Sequence, residues 1–216
     1  SVMVTDKNEI AYHLEKALYL CKHGKGGPCW IDIPLDIQGD KIETKDLVHF
    51  CPEQEIHEDR DRFSLTQAEF ILQKITQAKA PLILAGNGIR YSKSEKQFLQ
   101  LLERLKIPVV TAWAANDILP YSSEYFVGVP GTLGCRAGNF AVQQSDCLIS
   151  LGCRMNVRMV GYTRGDFARN AYKIMVDIDE AELHKPTYQP DLAICADVCD
   201  VLHKMLKCAY ERPKVD

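Results

Sequence analysis

Six short, mostly apolar runs alternate with helix-length amphipathic segments between residues 64 and 208, and this alternation constrains the fold more than any other feature of the chain. The runs are residues 81–85, 108–111, 125–127, 147–151, 172–177 and 192–195. Between them, Ala68, Ile71, Leu72 and Ile75 recur on one helical face behind Ser64, a helix-capping residue type, and Phe98, Leu101, Leu102 and Leu105 do the same within residues 92–106. Further helices are predicted at 137–144, at 180–183 and, from Val198, Val201, Leu202, Met205 and Leu206, at the close. Runs of that length and apolarity suit strands covered on both faces. The pattern therefore predicts an α/β fold, a doubly wound, mainly parallel six-stranded Rossmann-like sheet with an N-terminal helix–strand arm.

The arm rests on two segments. Ile10, Leu14, Ala17, Leu18 and Cys21 repeat at helical spacing, and Gly24, Gly26 and Gly27 stop that helix. Gly27-Pro28-Cys29-Trp30-Ile31-Asp32-Ile33-Pro34-Leu35-Asp36 then reads as a buried strand with its exit loop. No strand is predicted ahead of the helix. A strand that apolar needs neighbours on both sides, so the chain is expected to begin inside a domain. Charged residues without periodicity follow, with His49, Pro52, His57, Asp59 and Asp61 among them, and read as a linker. The expected organisation is a remnant of a preceding domain at 1–40, a linker at 41–63, the α/β domain at 64–208 and the start of another linker at 209–216.

The 26 basic and 29 acidic residues are well mixed and leave a net charge of −3, which favours neither nucleic acid nor an anionic membrane as partner. No run approaches the roughly 18–20 apolar residues of a membrane span, and a soluble, cytoplasmic protein is the expectation. Nine cysteines, odd in number and set in apolar surroundings at Cys147 and Cys195, read as reduced core residues. Cys195, Cys199 and His203 stand four apart but lack the paired spacing of a zinc site. The sequence has no nucleophile elbow, no GxxxxGK[ST] loop and no HExxH motif, and none of its six histidines stands out as a general base.

In doubly wound sheets ligands bind beyond the carboxyl ends of the strands, which directs attention to residues 86–90, 128–139, 152–161 and 177–180. Gly86 and Gly88 precede a helix and suit either backbone N–H contacts to a phosphate or a tight turn. Gly131 lies in a glycine-rich loop with Arg136 and Asn139, suited to clasping a ligand or to packing against another subunit. Arg154, with Arg158 and Arg164, follows a strand and suits a diphosphate or a carboxylate. Asp177 and Asp179 end a strand, where a carboxylate accepts from a ribose; Asp179, with Glu182 three residues on, equally suits a capping box.

Four phrases taken in order resemble the thiamine-diphosphate-dependent enzymes of the acetolactate synthase type. They are Gly-Pro-Cys-Trp-Ile-Asp-Ile-Pro at 27–34, Leu-Lys-Ile-Pro-Val-Val at 105–110, Gly131 with residues 139–142 and 145–149, and Val-Asp-Ile-Asp-Glu-Ala-Glu-Leu at 176–183. The resemblance covers nearly the whole chain. It implies that residues 1–40 close a pyrimidine-binding domain and that 64–208 form the central domain, of the DHS-like NAD/FAD-binding type. It further implies a parent enzyme that decarboxylates a 2-keto acid with thiamine diphosphate and Mg2+ and transfers the resulting carbanion to an acceptor. The activating glutamate and the magnesium-binding segment would lie outside residues 1–216, so the fragment is expected to be inactive, with no catalytic residue or metal ligand of its own. Its partners would be the flanking catalytic domains of the same polypeptide, within a homodimer or homotetramer.

In such enzymes the central domain holds FAD, ADP or no ligand. Carried over, the cofactor-binding positions are Gly86, Gly88, Gly131, Arg154, Asp177 and Asp179. Val129-Pro130 and Asn156-Val157 differ from the pairs common in FAD-binding members. Two other classes compete: a self-contained adenine-nucleotide-binding or sensing module, and an NAD-dependent deacetylase, which asks for a zinc-binding cysteine quartet that this sequence does not carry.

Overall fold

The computed structural model describes residues 1–56 and 63–211; His57, Asp59 and Asp61 of the expected linker lie outside the described residues, as do residues 212–216. The chain divides into two compact units, Ser1–Arg60 and Asp61–Asp216.

In the first unit β1 (Val2–Met3), α1 (Ile10–Lys22) and β2 (Ile31–Asp32) form a small parallel β-α-β arrangement, with Val2 opposite Ile31 and Met3 opposite Asp32. A strand therefore does precede the helix, contrary to the sequence expectation; two residues are too few for alternation to be read. Bonds from Val2 N to Trp30 O (3.0 Å) and from Val4 N to Asp32 O (2.8 Å) extend the pairing. The second departure concerns residues 28–33, of which only Ile31 and Asp32 are strand, while Trp30 is 73% exposed. Among the described residues β2 pairs with the two-residue β1 alone, so nothing further lengthens it.

After α2 (Leu35–Gly39), the chain folds back along α1 and forms α3 (Pro52–Glu55), so residues 41–56 belong to this unit. Phe50 is buried edge-on against Tyr12 and Tyr19, ring centroids 5.9 and 5.6 Å away. Glu15 accepts from Phe50 N (2.9 Å) and pairs with His49 Nδ1 (2.8 Å), and Tyr12 and Lys16 both donate to Glu55 (2.7 and 2.8 Å). A cavity of about 340 Å³ opens on this unit beside Tyr12, Lys16, Leu20, Cys29 and Trp30.

The second unit opens with α4 (Leu65–Gln77), held by a capping box in which Ser64 Oγ accepts from Gln67 N (3.1 Å) and Gln67 Oε1 from Ser64 N (2.8 Å). There follow β3 (Pro81–Ala85), α5 (Gly88–Tyr91), α6 (Glu95–Leu105), β4 (Val109–Thr111), β5 (Phe126–Gly128), α7 (Arg136–Gln144), β6 (Cys147–Leu151), α8 (Val157–Val160), β7 (Tyr172–Asp177), α9 (Glu180–Leu183), β8 (Leu192–Cys195) and α10 (Val198–Lys207). The six strands make one sheet in the order β5-β4-β3-β6-β7-β8, parallel throughout, which is the doubly wound fold expected.

Successive side chains of a strand point to opposite faces. Ile83, Ala85, Val109, Ile149, Leu151, Ile174 and Val176 join the inward residues of α4, α6 and α10 in one core. Leu82, Leu84, Val110, Leu148 and Met175 join Val142, Met159 and Leu183 in the other. Both faces are covered, which is why these strands read as apolar along their length. At the opposite end of the strands from the candidate loops, the Asp146 carboxylate accepts from Lys79 N (2.8 Å) and Ala80 N (2.9 Å), tying the entry of β3 to that of β6. After β3 the chain fills one side of the sheet with β4 and β5 and then returns to β6 on the other, so the switch point lies between β3 and β6.

Candidate ligand site at the carboxyl ends of the sheet

The chain leaves β3 at Gly86 and β6 at Gly152, one on each side of the switch point, and there the two backbones touch. Gly86 N donates to Leu151 O (2.9 Å) and Gly88 N to Gly152 O (3.0 Å). A Cβ at Gly86 would stand 2.2 Å from Gly152 O, and one at Gly88 would stand 2.6 Å from Gly152 Cα. Gly152 itself, at φ +59°, would bring a Cβ within 2.5 Å of Gly88 Cα. Contacts that close leave room for hydrogen alone. The glycines, which from sequence suit either a phosphate-contacting loop or a tight turn, thus pin two loops together, and their N–H groups are committed to carbonyls. Gly152 is the partner that sequence reasoning missed, because its contact with Gly88 follows from strand order.

The β5–α7 loop is closed in a similar way. Gly131, at φ +108°, donates its N–H to Asn139 Oδ1 (2.8 Å) and accepts at its carbonyl from Asn139 Nδ2 (3.2 Å). A Cβ there would lie 2.6 Å from Arg158 O, the same carbonyl that accepts from Thr132 N (2.8 Å). The loop packs against α8 of its own unit.

Arg154 does find a carboxylate, and it belongs to the same unit. Its Nε donates to Glu182 Oε1 (2.5 Å), while Lys185 Nζ donates to Glu182 Oε2 (2.7 Å) and also to the Arg154 carbonyl. Burial pushes the Glu182 pKa up, but the hydrogen bonds from Lys185 and Arg154 outweigh it and hold the carboxyl below its ordinary value. Asp179 caps α9 by accepting from Ala181 N (3.1 Å), and buried Asp177 accepts from Asp179 N (3.0 Å). Arg164 donates to Pro186 O (2.9 Å). The six sequence-derived positions therefore fall into three places: Gly86 and Gly88 at the switch point, Gly131 against α8, and Arg154, Asp177 and Asp179 around α9. Lys185 was not anticipated from sequence, and Glu182 appears as the acceptor between two cations.

Polar groups of these loops are thus bound largely to one another. Among the described residues no group of three or more His, Cys, Asp and Glu stands together to hold a metal ion. Cys199 Sγ lies 3.4 Å from His203 Nδ1, whereas Cys195 Sγ donates to Ile178 O (3.7 Å). The cysteines also depart from the expectation of core residues: Cys147, Cys153 and Cys208 are buried, but Cys21, Cys29 and Cys135 are exposed because they sit at helix ends and turns. No helix of the described residues is long and apolar enough to cross a membrane. Exposed side chains after β4, β5 and β6 include Trp113, Leu133, Phe140 and Tyr162, the last 89% exposed, an apolar fringe suited to a flat ligand or to another protein surface.

Comparison with known proteins agrees with this architecture. The family described as "Thiamine pyrophosphate enzyme, central domain" matches residues 68–205. An acetolactate synthase large subunit of Pyropia yezoensis is 34% identical over 211 residues, covering 95% of this chain and 35% of that protein. The acetolactate synthase isozyme 1 large subunit of Escherichia coli (strain K12) is 32% identical over 225 residues, 100% of this chain and 38% of its own length. A probable acetolactate synthase large subunit of Methanocaldococcus jannaschii is 32% identical over 206 residues, 92% and 33% respectively. The chain spans about a third of the length of these curated relatives.

Proposed function

The chain belongs to the family of thiamine pyrophosphate enzyme central domains, and from that premise we propose that it is the connecting, structural domain of an acetolactate-synthase-like enzyme. The parent would decarboxylate a 2-keto acid and transfer the remaining acyl unit to an acceptor, in the cytoplasm, as a homodimer or homotetramer. Thiamine diphosphate, when bound with Mg2+, supplies the electron sink for such a decarboxylation. The residues that hold both would belong to flanking domains outside this sequence, and the isolated chain would be inactive.

The observation that carries the structural reading is the crossing of Gly86 and Gly88 over Gly152. A pyrophosphate at a switch point asks for outward-facing backbone N–H groups. Here those of Gly86 and Gly88 already donate to carbonyls, Asn139 occupies Gly131, and Arg154 Nε is paired with Glu182. The donors that these positions would offer to FAD or ADP are thus already engaged within the unit. The domain's own contribution would be a stiff sheet whose apolar fringe, with Trp113 and Tyr162, seats the flanking catalytic domains.

A second reading, with a nucleotide lying across the carboxyl ends, is favoured by that same fringe and by Arg154, which remains 67% exposed on its side chain. Titration calorimetry of the purified chain with FAD and with ADP separates the two. The structural reading expects no saturable heat and a colourless protein; saturable binding that Arg154→Ala abolishes would overturn it. The parent reading is tested independently by release of carbon dioxide from a 2-keto acid by the full-length protein, dependent on thiamine diphosphate and Mg2+.

A further inference from the structure

We propose that Cys199 and His203 form a binding site for Zn2+, with Gln97 positioning the imidazole. The two ligands stand four residues apart on α10 and so share one face of that helix, where Cys199 Sγ lies 3.4 Å from His203 Nδ1. Zinc binds a thiolate sulfur at about 2.3 Å and an imidazole nitrogen at about 2.0–2.1 Å. At a tetrahedral angle those lengths set the sulfur and the nitrogen about 3.5 Å apart, so the pair already has the bite of one zinc ion. Cys199 is half-buried and His203 exposed, which gives the ion a way in from solvent. Cys195, four residues earlier, turns instead to Ile178 O. Among the described residues no third His, Cys, Asp or Glu completes the set, so two positions on the ion are left to water and the site is an exchangeable one.

Gln97, on the neighbouring α6, supplies an independent observation. Its Nε2 lies 3.5 Å from His203 Nε2, while its Oε1 is buried without a hydrogen-bond partner among the described residues. With the amide turned over, Oε1 accepts from the His203 Nε2–H. That bond selects the tautomer whose Nδ1 lone pair faces Cys199, which is how outer partners orient metal-bound imidazoles. The charge around the sulfur agrees with a cation. Burial, and then the carboxylates of Asp197 and Asp200, push the Cys199 thiol above its ordinary value, and the negative surroundings that hold a proton on the sulfur also favour a dication in its place. On binding, Zn2+ replaces the thiol proton, which passes to the buffer, and no electron moves.

The test follows alkylation of each cysteine in the full, reduced chain at increasing Zn2+, by tryptic digestion and mass spectrometry. Cleavage after Lys173 and Lys204, with Lys185 shielded by Pro186, releases Cys195 and Cys199 on one peptide, and fragmentation between them reads each thiol separately. Slow alkylation of buried Cys147 and Cys153 marks an intact fold in every variant. The proposal expects Zn2+ to slow alkylation of Cys199 along a saturable curve, and Mg2+, which prefers oxygen ligands, to leave it unchanged. His203→Ala should abolish the protection, and Gln97→Leu should shift the curve to at least about tenfold higher Zn2+. Alkylation of Cys199 that Zn2+ does not slow, or protection that either variant leaves unchanged, overturns the proposal.

Discussion

Gly86→Ala probes the closure of the switch point most severely. The added Cβ would lie 2.2 Å from Gly152 O and 2.5 Å from Gly152 C, where ordinary contact is 3.4–4 Å. The two strand exits must therefore part by about 1 Å, and neither obstructing atom belongs to a side chain that could swing away. Overpacking of this kind costs about 1–3 kcal/mol. Parting also weakens the bonds from Gly86 N to Leu151 O and from Gly88 N to Gly152 O, each worth about 0.5–1.5 kcal/mol net. A loss near 3 kcal/mol follows, a large fraction of the roughly 5–15 kcal/mol that stabilises a domain. Thermal unfolding followed by far-ultraviolet circular dichroism should show a melting temperature lower by roughly 6–12 °C. Gly165→Ala, with nothing within 4 Å of its new Cβ and no positive φ, should stay within about 0.5 kcal/mol of the parent chain. If Gly86→Ala is as mild as Gly165→Ala, the close crossing does not exist.

Glu182 should show a pH signature. Its folded-state pKa lies below the ordinary 4.5, so its contribution is fully present above that pH and is lost as pH falls through the lower folded value. Glu182→Gln should flatten the stability curve in that acid window and lower stability at neutral pH by about 1–2 kcal/mol, less than for a fully buried pair because Arg154 is largely exposed. At the other end of the sheet, Asp146→Ala leaves the amides of Lys79 and Ala80 without their carboxylate. It should cost about 2 kcal/mol in urea unfolding and speed hydrogen exchange at those two amides in particular.

The sheet was legible in the sequence because its inner strands are covered on both faces, so that residues 81–85, 147–151 and 172–177 carry largely apolar runs. The helices α4 and α6 were legible for the complementary reason, a single inward stripe with Ser64 as the start signal of the first. Of the four-residue elements, α9 and β8 were legible from Asp179 with its acidic turn and from an apolar run, but α5 and α8, which complete barely one turn, and the two-residue β1 were not, because no period is expressed. At the candidate site the residue types were readable but their partners were not. Glycine at 86 and 88 suits a phosphate loop and a backbone crossing equally well; strand order alone puts Gly152 against them. Likewise Glu182 stands at capping-box spacing from Asp179, yet it is drawn to Lys185, three residues on, and to Arg154, whose proximity depends on β6 and β7 being neighbours.

The central claim is that the crevice between β3 and β6 is shut by the backbone of Gly86 and Gly88. Hydrogen exchange of those two amides, read residue by residue by nuclear magnetic resonance with and without FAD or ADP, tests it most directly. The account predicts that both exchange as slowly as the amides within β3 and β6 and that neither resonance moves when a nucleotide is added. Fast exchange at Gly86 and Gly88, or displacement of their resonances along a saturable curve with ADP, would contradict it and restore the crevice as a nucleotide site.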